Sequence, residues 1–213
     1  MTPSDELLDL GNRRLRLRRL EPRQADGLER TTLVFLHEGL GCIEMWRDFP
    51  QRFCDAANVR GLVYSRPGYG RSTPRDPQEA WDLDFMHRQA HEVLPALLAA
   101  LGVDVAADPP WLFGHSDGGS IVLLYAAQFP QAIAGAIVLA PHILVEDLSV
   151  TSIAKAKEAY ETTDLKQRLA RHPHVVIVDQ RMRAFVVALA VQSDIADDVD
   201  AGCVRRHKQH RHA

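Results

Sequence analysis

A serine framed by glycines, Gly114-His115-Ser116-Asp117-Gly118-Gly119, is the stretch of this chain best suited to chemistry. A serine hydroxyl attacks a carbonyl only when a base takes its proton and N–H donors hold the oxyanion that forms. Gly114 and Gly118 let backbone pass close to either side of a strained serine. The Asp117 N–H, at the start of a following helix, is one oxyanion donor, and the helix dipole favours the same negative charge. A second donor must come from another loop at the same place. His37-Glu38-Gly39-Leu40-Gly41 is suited to this and offers the Gly39 N–H.

Neighbouring polar residues invite other readings. His115 adjoins the serine, but a sharp turn aims adjacent side chains in different directions, so it is expected to pack rather than act as base. His37 reads as a residue that braces its loop. Cys42 lies close to the same loop with nothing beside it to lower its pKa, and is expected to be a small packed thiol. Glu38 either shapes substrate choice or faces solvent. The histidines of Arg205-Arg206-His207-Lys208-Gln209-His210-Arg211-His212 look like a disordered tail rather than a metal cluster.

These residues need elements to place them. Trp111-Leu112-Phe113 is a short apolar run leading into the serine turn, and Ile121 to Phe129 continues as a helix, closed by Pro130. Strand, sharp turn and helix in that order give a Gly-x-Ser-x-Gly sequence its meaning. Before it, Thr31 to Leu36 is β-branched and apolar with little alternation, as in a strand covered on both faces, and it runs into the His37 loop. Trp46 to Ala57 has helical spacing, and Gly61 to Tyr64 is a further strand. It enters the turn Ser65-Arg66-Pro67-Gly68-Tyr69-Gly70-Arg71-Ser72. Asp76 to Trp81 reads as loop. Leu83 to Leu101 reads as one long amphipathic helix that Pro95 kinks and Gly102 stops. Ile133 to Ala140 is a last buried strand, ending at Pro141-His142, and Val145 to Ala170 is helical. At the start, Glu6 to Leu10 and Arg14 to Leu20 form an antiparallel hairpin at the sheet edge.

Strands alternating with helices from Leu33 to Ala140 imply an α/β fold with a doubly wound, mostly parallel sheet. Ligands of such sheets bind outside the carboxyl ends of the strands, where both glycine loops and the serine turn fall. The composition agrees with one domain: 213 residues, 46% hydrophobic, net charge −3. That charge gives no general attraction to nucleic acid or to an anionic membrane. No apolar run approaches the ~20 residues of a membrane helix, and the N-terminus lacks a signal-peptide layout. Cys42, Cys54 and Cys203 are an odd, scattered set, which argues against a disulfide framework. A cytoplasmic protein acting on a small-molecule substrate, with no nucleic acid or membrane partner, is the expectation.

Together these motifs resemble the α/β-hydrolase fold superfamily, in its serine branch. Leu36-His37-Glu38-Gly39-Leu40-Gly41 resembles the family's oxyanion loop, with Glu38 where glycine is usual. Arg66-Pro67-Gly68-Tyr69-Gly70-Arg71-Ser72 resembles the loop after the fourth strand, with Ser65 where aspartate is common. Gly114 to Gly119 resembles the nucleophile elbow. The resemblance covers Thr31 to Pro141 and implies Ser116 as nucleophile, Gly39 and Asp117 as backbone oxyanion donors, and no cofactor or metal. It implies hydrolysis of an ester or related bond. A carbon–carbon bond hydrolase of the ring-cleavage-product type is the alternative, as is a catalytically incomplete hydrolase fold without activity. A dehalogenase is disfavoured, because its nucleophile would be an aspartate at this position.

The family order Ser…Asp/Glu…His is harder to complete. Asp179, after the strand-like Val175 to Val178, and His207 are candidate acid and base, and Glu146 or Asp147 is an alternative acid. The expected organisation is a hydrolase core over 1–142, the start of a helical cap over 143–171, and an atypical segment over 172–213. A frameshift or truncation near His172 would explain that last segment and leave the sheet without a complete C-terminal strand pair. Reading the gene in its other frames tests this.

Overall fold

The computed structural model describes residues 5–23, 29–76, 84–143 and 147–164. Strands β1 (Asp5–Asp9) and β2 (Arg14–Leu20) form the expected hairpin, in which Asp9 pairs with Arg14 and Leu8 with Leu15. Arg16 and Arg18 clasp Asp5 across it, and Arg16 also bonds Glu44. β3 (Glu29–Leu36), β4 (Val59–Tyr64), β5 (Trp111–His115) and β6 (Gly135–Leu139) complete a sheet of order β1-β2-β4-β3-β5-β6. β2 runs antiparallel to β4, and β3 to β6 are mutually parallel where they pair.

The near-continuous apolar runs mark strands covered on both faces, and β3 shows how. Successive side chains of a strand point to opposite faces. Leu33 and Phe35 accordingly join Ile43, Cys54, Val63 and Phe113 in one cluster, under the helix α1 (Phe49–Ala57). Val34 and Leu36 join Leu97, Leu112, Ile121 and Tyr125 in the other. That second layer is made by α2 (Phe85–Arg88), a wide π-helical turn over Gln89–Val93, α3 (Leu94–Ala100) and α4 (Asp117–Gln128).

The long helix expected from 83 to 101 is therefore broken in register, and Pro95 gives the reason. Proline has no N–H for a helical bond and its ring crowds the carbonyl four residues earlier. A π turn just before it widens the helix where that carbonyl lies. The apolar face still lands as patterned, with Ala90, Val93, Leu94, Leu97 and Leu98 buried. Gly102 ends the segment at φ +71. The helix expected from Trp46 begins instead with a short 3₁₀ turn, Ile43–Trp46, and becomes α-helical at Phe49.

The strand order reverses direction at β3. From β3 the chain crosses to β4 on one side, and it later returns to β5 on the other. Leu36 and Gly114 are register partners, so the loops leaving β3 and β5 start side by side and diverge to opposite faces. Such a switch point leaves a crevice at the carboxyl edge. The core through Ile143 lies in one compact unit, and the helix α5 (Asp147–Thr162), inside the helical stretch expected from 145 to 170, lies in a second. None of the helices among the described residues is long and apolar enough to cross a membrane.

Candidate active site

Ser116 sits between β5 and α4 with φ 53 and ψ −117, a conformation that L side chains rarely adopt. It persists because its surroundings leave no alternative. A Cβ on Gly114 would collide with the Gly118 carbonyl, and one on Gly118 would collide with the Leu36 carbonyl and lie 2.8 Å from that of His37. The two glycines thus let α4 start directly against the end of β3. The Ser116 N–H donates to the Leu139 carbonyl at 2.8 Å, which ties the turn to the end of β6 as well. Ser116 and Asp117 are each 1% exposed.

On the β3 side, the loop is fixed by one carbonyl. Glu38 O accepts from the Gly41 N–H at 3.1 Å, from His37 Nδ1 at 2.7 Å and from Arg66 Nη2 at 2.8 Å. His37 Nε2 accepts the Arg66 backbone N–H at 3.0 Å, so the ring proton resides on Nδ1. Burial, and secondarily the Arg66 charge, hold the His37 pKa well below the usual histidine value. His37 is the brace the sequence suggested. Glu38 does not face solvent freely: its carboxylate covers Gly41, where a side chain would overlap it. Burial raises its pKa, against the opposing influence of its own backbone, His115 and Arg66.

Arg66 is fully buried. Its guanidinium lies 3.5 Å from the Asp117 carboxylate, 4.5 Å from the centre of the Tyr69 ring and 5.6 Å from that of Phe85. A buried carboxylate at the foot of α4 is thereby paired with a buried cation and with the positive end of the helix. Ser65 Oγ accepts the Ile43 N–H at 3.2 Å, and Ser72 Oγ donates to the Ser65 carbonyl at 2.6 Å.

On the β6 side, the structure brings in a residue that the sequence reading left without a role. His142 Nε2 is 3.1 Å from Ser116 Oγ and 3.4 Å from Asp117 Oδ1. The His142 N–H donates to Ser120 Oγ at 2.8 Å. Asp117, through a weak hydrogen bond to the protonated ring and through its charge, raises the His142 pKa, and partial burial opposes the shift. The available signal was topological: Pro141-His142 follows the strand adjacent to β5, at the carboxyl edge. An apolar cleft of about 520 Å³ opens beside it, walled by Phe85, Met86, Leu123, Leu124 and Ile143.

The other candidates fall elsewhere. His115 is half-buried and is one of the groups that oppose the rise of the Glu38 pKa. Burial, with Glu44 nearby, pushes the Cys42 thiol up to about 12, in keeping with a packed, unreactive sulfur. Asp147 is the exposed first residue of α5. Glu146, Asp179 and His207 lie outside the described residues, as does the segment 172–213 with the strand-like Val175 to Val178. Gly39 is buried in the turn closed by the Gly41-to-Glu38 hydrogen bond.

A family model described as the alpha/beta hydrolase fold matches residues 31–181. An alpha/beta hydrolase fold protein from Chitinophaga pinensis is similar in structure, with a TM-score of 0.58, 18% identity, and coverage of 74% of this chain and 52% of that one. A soluble variant of monoglyceride lipase from Saccharomyces cerevisiae gives 0.56 at 15% identity, covering 76% and 53%. A predicted CIB-like hydrolase from Thermoplasma acidophilum gives 0.54 at 22% identity, covering 72% and 69%. At these identities the likeness is one of fold, and the chain spans about half the length of the first two. No curated protein matches the chain by sequence.

Proposed function

Because the chain belongs to the α/β-hydrolase fold family, we propose that it hydrolyses an ester or related bond of a small molecule, with Ser116 as nucleophile. The observation that carries this reading is the backbone of Ser116, held at φ 53 between β5 and α4 with its Oγ 3.1 Å from an imidazole nitrogen. A strained serine at a strand-to-helix turn, facing a proton acceptor, is what acyl transfer requires.

The oxyanion of the tetrahedral intermediate is received by backbone N–H groups. Asp117 supplies one, at the first position of α4. Gly39 supplies the other, and the peptide geometry supports it. The C=O of Glu38 and the N–H of Gly39 share one trans peptide plane and point in opposite directions. With Glu38 O held among Gly41, His37 and Arg66, the Gly39 N–H turns away from that cluster. The apolar wall of Met86, Leu123, Leu124 and Ile143 suits a hydrocarbon portion of the substrate. Buried free thiols at Cys42 and Cys54 suit a reducing compartment such as the cytoplasm.

The test is labelling of the full chain by an alkyl fluorophosphonate, read by intact mass. One adduct, absent from Ser116→Ala, is the expected result. Folded protein that takes up no probe overturns the proposal in favour of a hydrolase fold without activity.

A further inference from the structure

We propose that His142, from the exit of β6, is the general base for Ser116. This inference rests on the reading of Ser116 as nucleophile and departs from the family order, in which the histidine follows the acid late in the chain. Nε2 stands 3.1 Å from Ser116 Oγ, inside the reach of a proton transfer. Both residues belong to one frame. β5 and β6 pair in register through His115 and Leu139, Ser116 N–H bonds the Leu139 carbonyl, and His142 N–H bonds Ser120 Oγ on the first turn of α4. Between them Ala140 takes φ 45, a left-handed turn that reverses the chain at the end of β6. The base is thus carried on the same hydrogen-bonded frame as the nucleophile.

Asp117 plays the part of the acid in an unusual position. In the familiar triad the carboxylate holds the ring nitrogen remote from the serine. Here one nitrogen faces both groups, at 3.1 Å from Ser116 Oγ and 3.4 Å from Asp117 Oδ1. With the ring neutral and its proton on Nδ1, Nε2 accepts from Ser116. As Oγ bonds to the substrate carbonyl carbon, the Oγ proton moves to Nε2 and the carbonyl π electrons move to the oxyanion. The new Nε2–H then lies beside the Asp117 carboxylate, which stabilises the imidazolium. On collapse the bond to the leaving oxygen breaks and Nε2 returns its proton there. A water repeats the cycle on the acyl-enzyme. Arg66, 3.5 Å behind Asp117, holds that carboxylate in place.

The groups around the ring set its pH response. Asp117 faces it from α4, and His87 of α2 lines the same cleft. Beyond Asp117 stand Arg66, 3.5 Å from its carboxylate, and Glu38, whose carboxyl feels Arg66, His115 and Asp117. Asp117 dominates, so the neutral, active ring is reached at a higher pH than for an ordinary histidine.

Fluorophosphonate labelling rates across the range from about pH 5 to about pH 9 test this. Loss of fluoride from phosphorus needs the same proton acceptor as acyl transfer. Wild type is expected to show one rising limb, centred above 6.5, the usual histidine value. His142→Ala should lose about 100-fold or more of the rate, lose the limb, and regain part of the rate with added imidazole. The His142 side chain is 47% exposed and its backbone bond to Ser120 survives the substitution, so the variant is expected to fold. If His142→Ala labels at the wild-type rate with the same limb, His142 is not the base although Ser116 remains the nucleophile. If wild type does not label at all, both readings fall.

Discussion

His37 leaves β3 fully buried with both ring nitrogens bonded to the main chain. His142, past β6, is half-exposed and turns one nitrogen to a hydroxyl and a carboxylate. The same side chain at the same edge of the sheet is thus driven in opposite directions. Burial and the Arg66 charge push the first ring towards permanent neutrality, whereas Asp117 draws the second towards protonation. Arg66 connects them, since its backbone N–H caps His37 and its guanidinium faces Asp117. A histidine tied at both nitrogens braces a loop, and one facing a hydroxyl and an acid can move a proton.

The most drastic way to break this comparison is to remove the junction both sides share. Gly118→Ala puts a methyl into the Leu36 carbonyl, a backbone atom that cannot give way without moving β3. The expected loss of stability is at or beyond the upper end of the ~1–3 kcal/mol usual for overpacking. Chemical denaturation measures it, and a wild-type midpoint would show that α4 does not start against β3 as described.

Exchanging the fates of the two histidines comes next in size. His37→Phe strips the Arg66 N–H and the Glu38 carbonyl of ring partners, and a buried unsatisfied group costs about 1–3 kcal/mol. His142→Ala removes a half-exposed ring and should shift stability by less than about 0.5 kcal/mol. Stability is thus expected to fall mainly in the first variant and probe reactivity mainly in the second. If both variants lose stability equally, the division between brace and base is wrong.

The pH dependence of folding sharpens the same contrast with a smaller signal. His37 has a depressed pKa in the folded chain, so below about 6.5 the unfolded chain binds the proton first. Its contribution is complete above that value and is lost as pH falls towards the folded pKa, at up to about 1.4 kcal/mol per pH unit. His142 has the opposite sign: its raised pKa adds stability below about 6.5, which is lost as pH rises through the folded value. Asp117→Asn should move the limb of the labelling profile down towards the ordinary histidine value. A limb unmoved in a folded Asp117→Asn protein would remove Asp117 from the account.

What the sequence made legible follows from the range over which each feature is decided. The elbow, the two glycine loops and the burial of Leu97, Leu98 and Leu112 depend on local spacing and strand periodicity. Pro95 signals a kink in the sequence, but its resolution into a π turn depends on how the helix packs. Arg66 and Asp117 are an ion pair separated by half of the core and meet only because β4 and β5 flank β3. His142 went unassigned for a similar reason. Nothing in Ala140-Pro141-His142 signals a base until the left-handed turn at Ala140 and the hydrogen bond to Ser120 aim the ring at Ser116.

The smallest expected effect concerns the Cys42 thiol, near the Ser116 turn. Cys42 follows the loop after β3 and is fully buried, its Cβ 3.0 Å from where a side chain on Gly70 would stand, and Gly70 has φ +55. A thiol reacts as thiolate, and burial with Glu44 alongside pushes this one up to about 12. At about pH 8 less than about one part in a thousand is then ionised. Native protein treated with iodoacetamide should remain unmodified at Cys42 while retaining its fluorophosphonate adduct, and Cys42→Ala should leave the labelling rate within about twofold. Rapid alkylation of Cys42 in the folded chain would place an open, electropositive environment beside Gly39. The loop after β3 could not then be the closed turn that bonds His37 on one side and leaves the Gly39 N–H on the other.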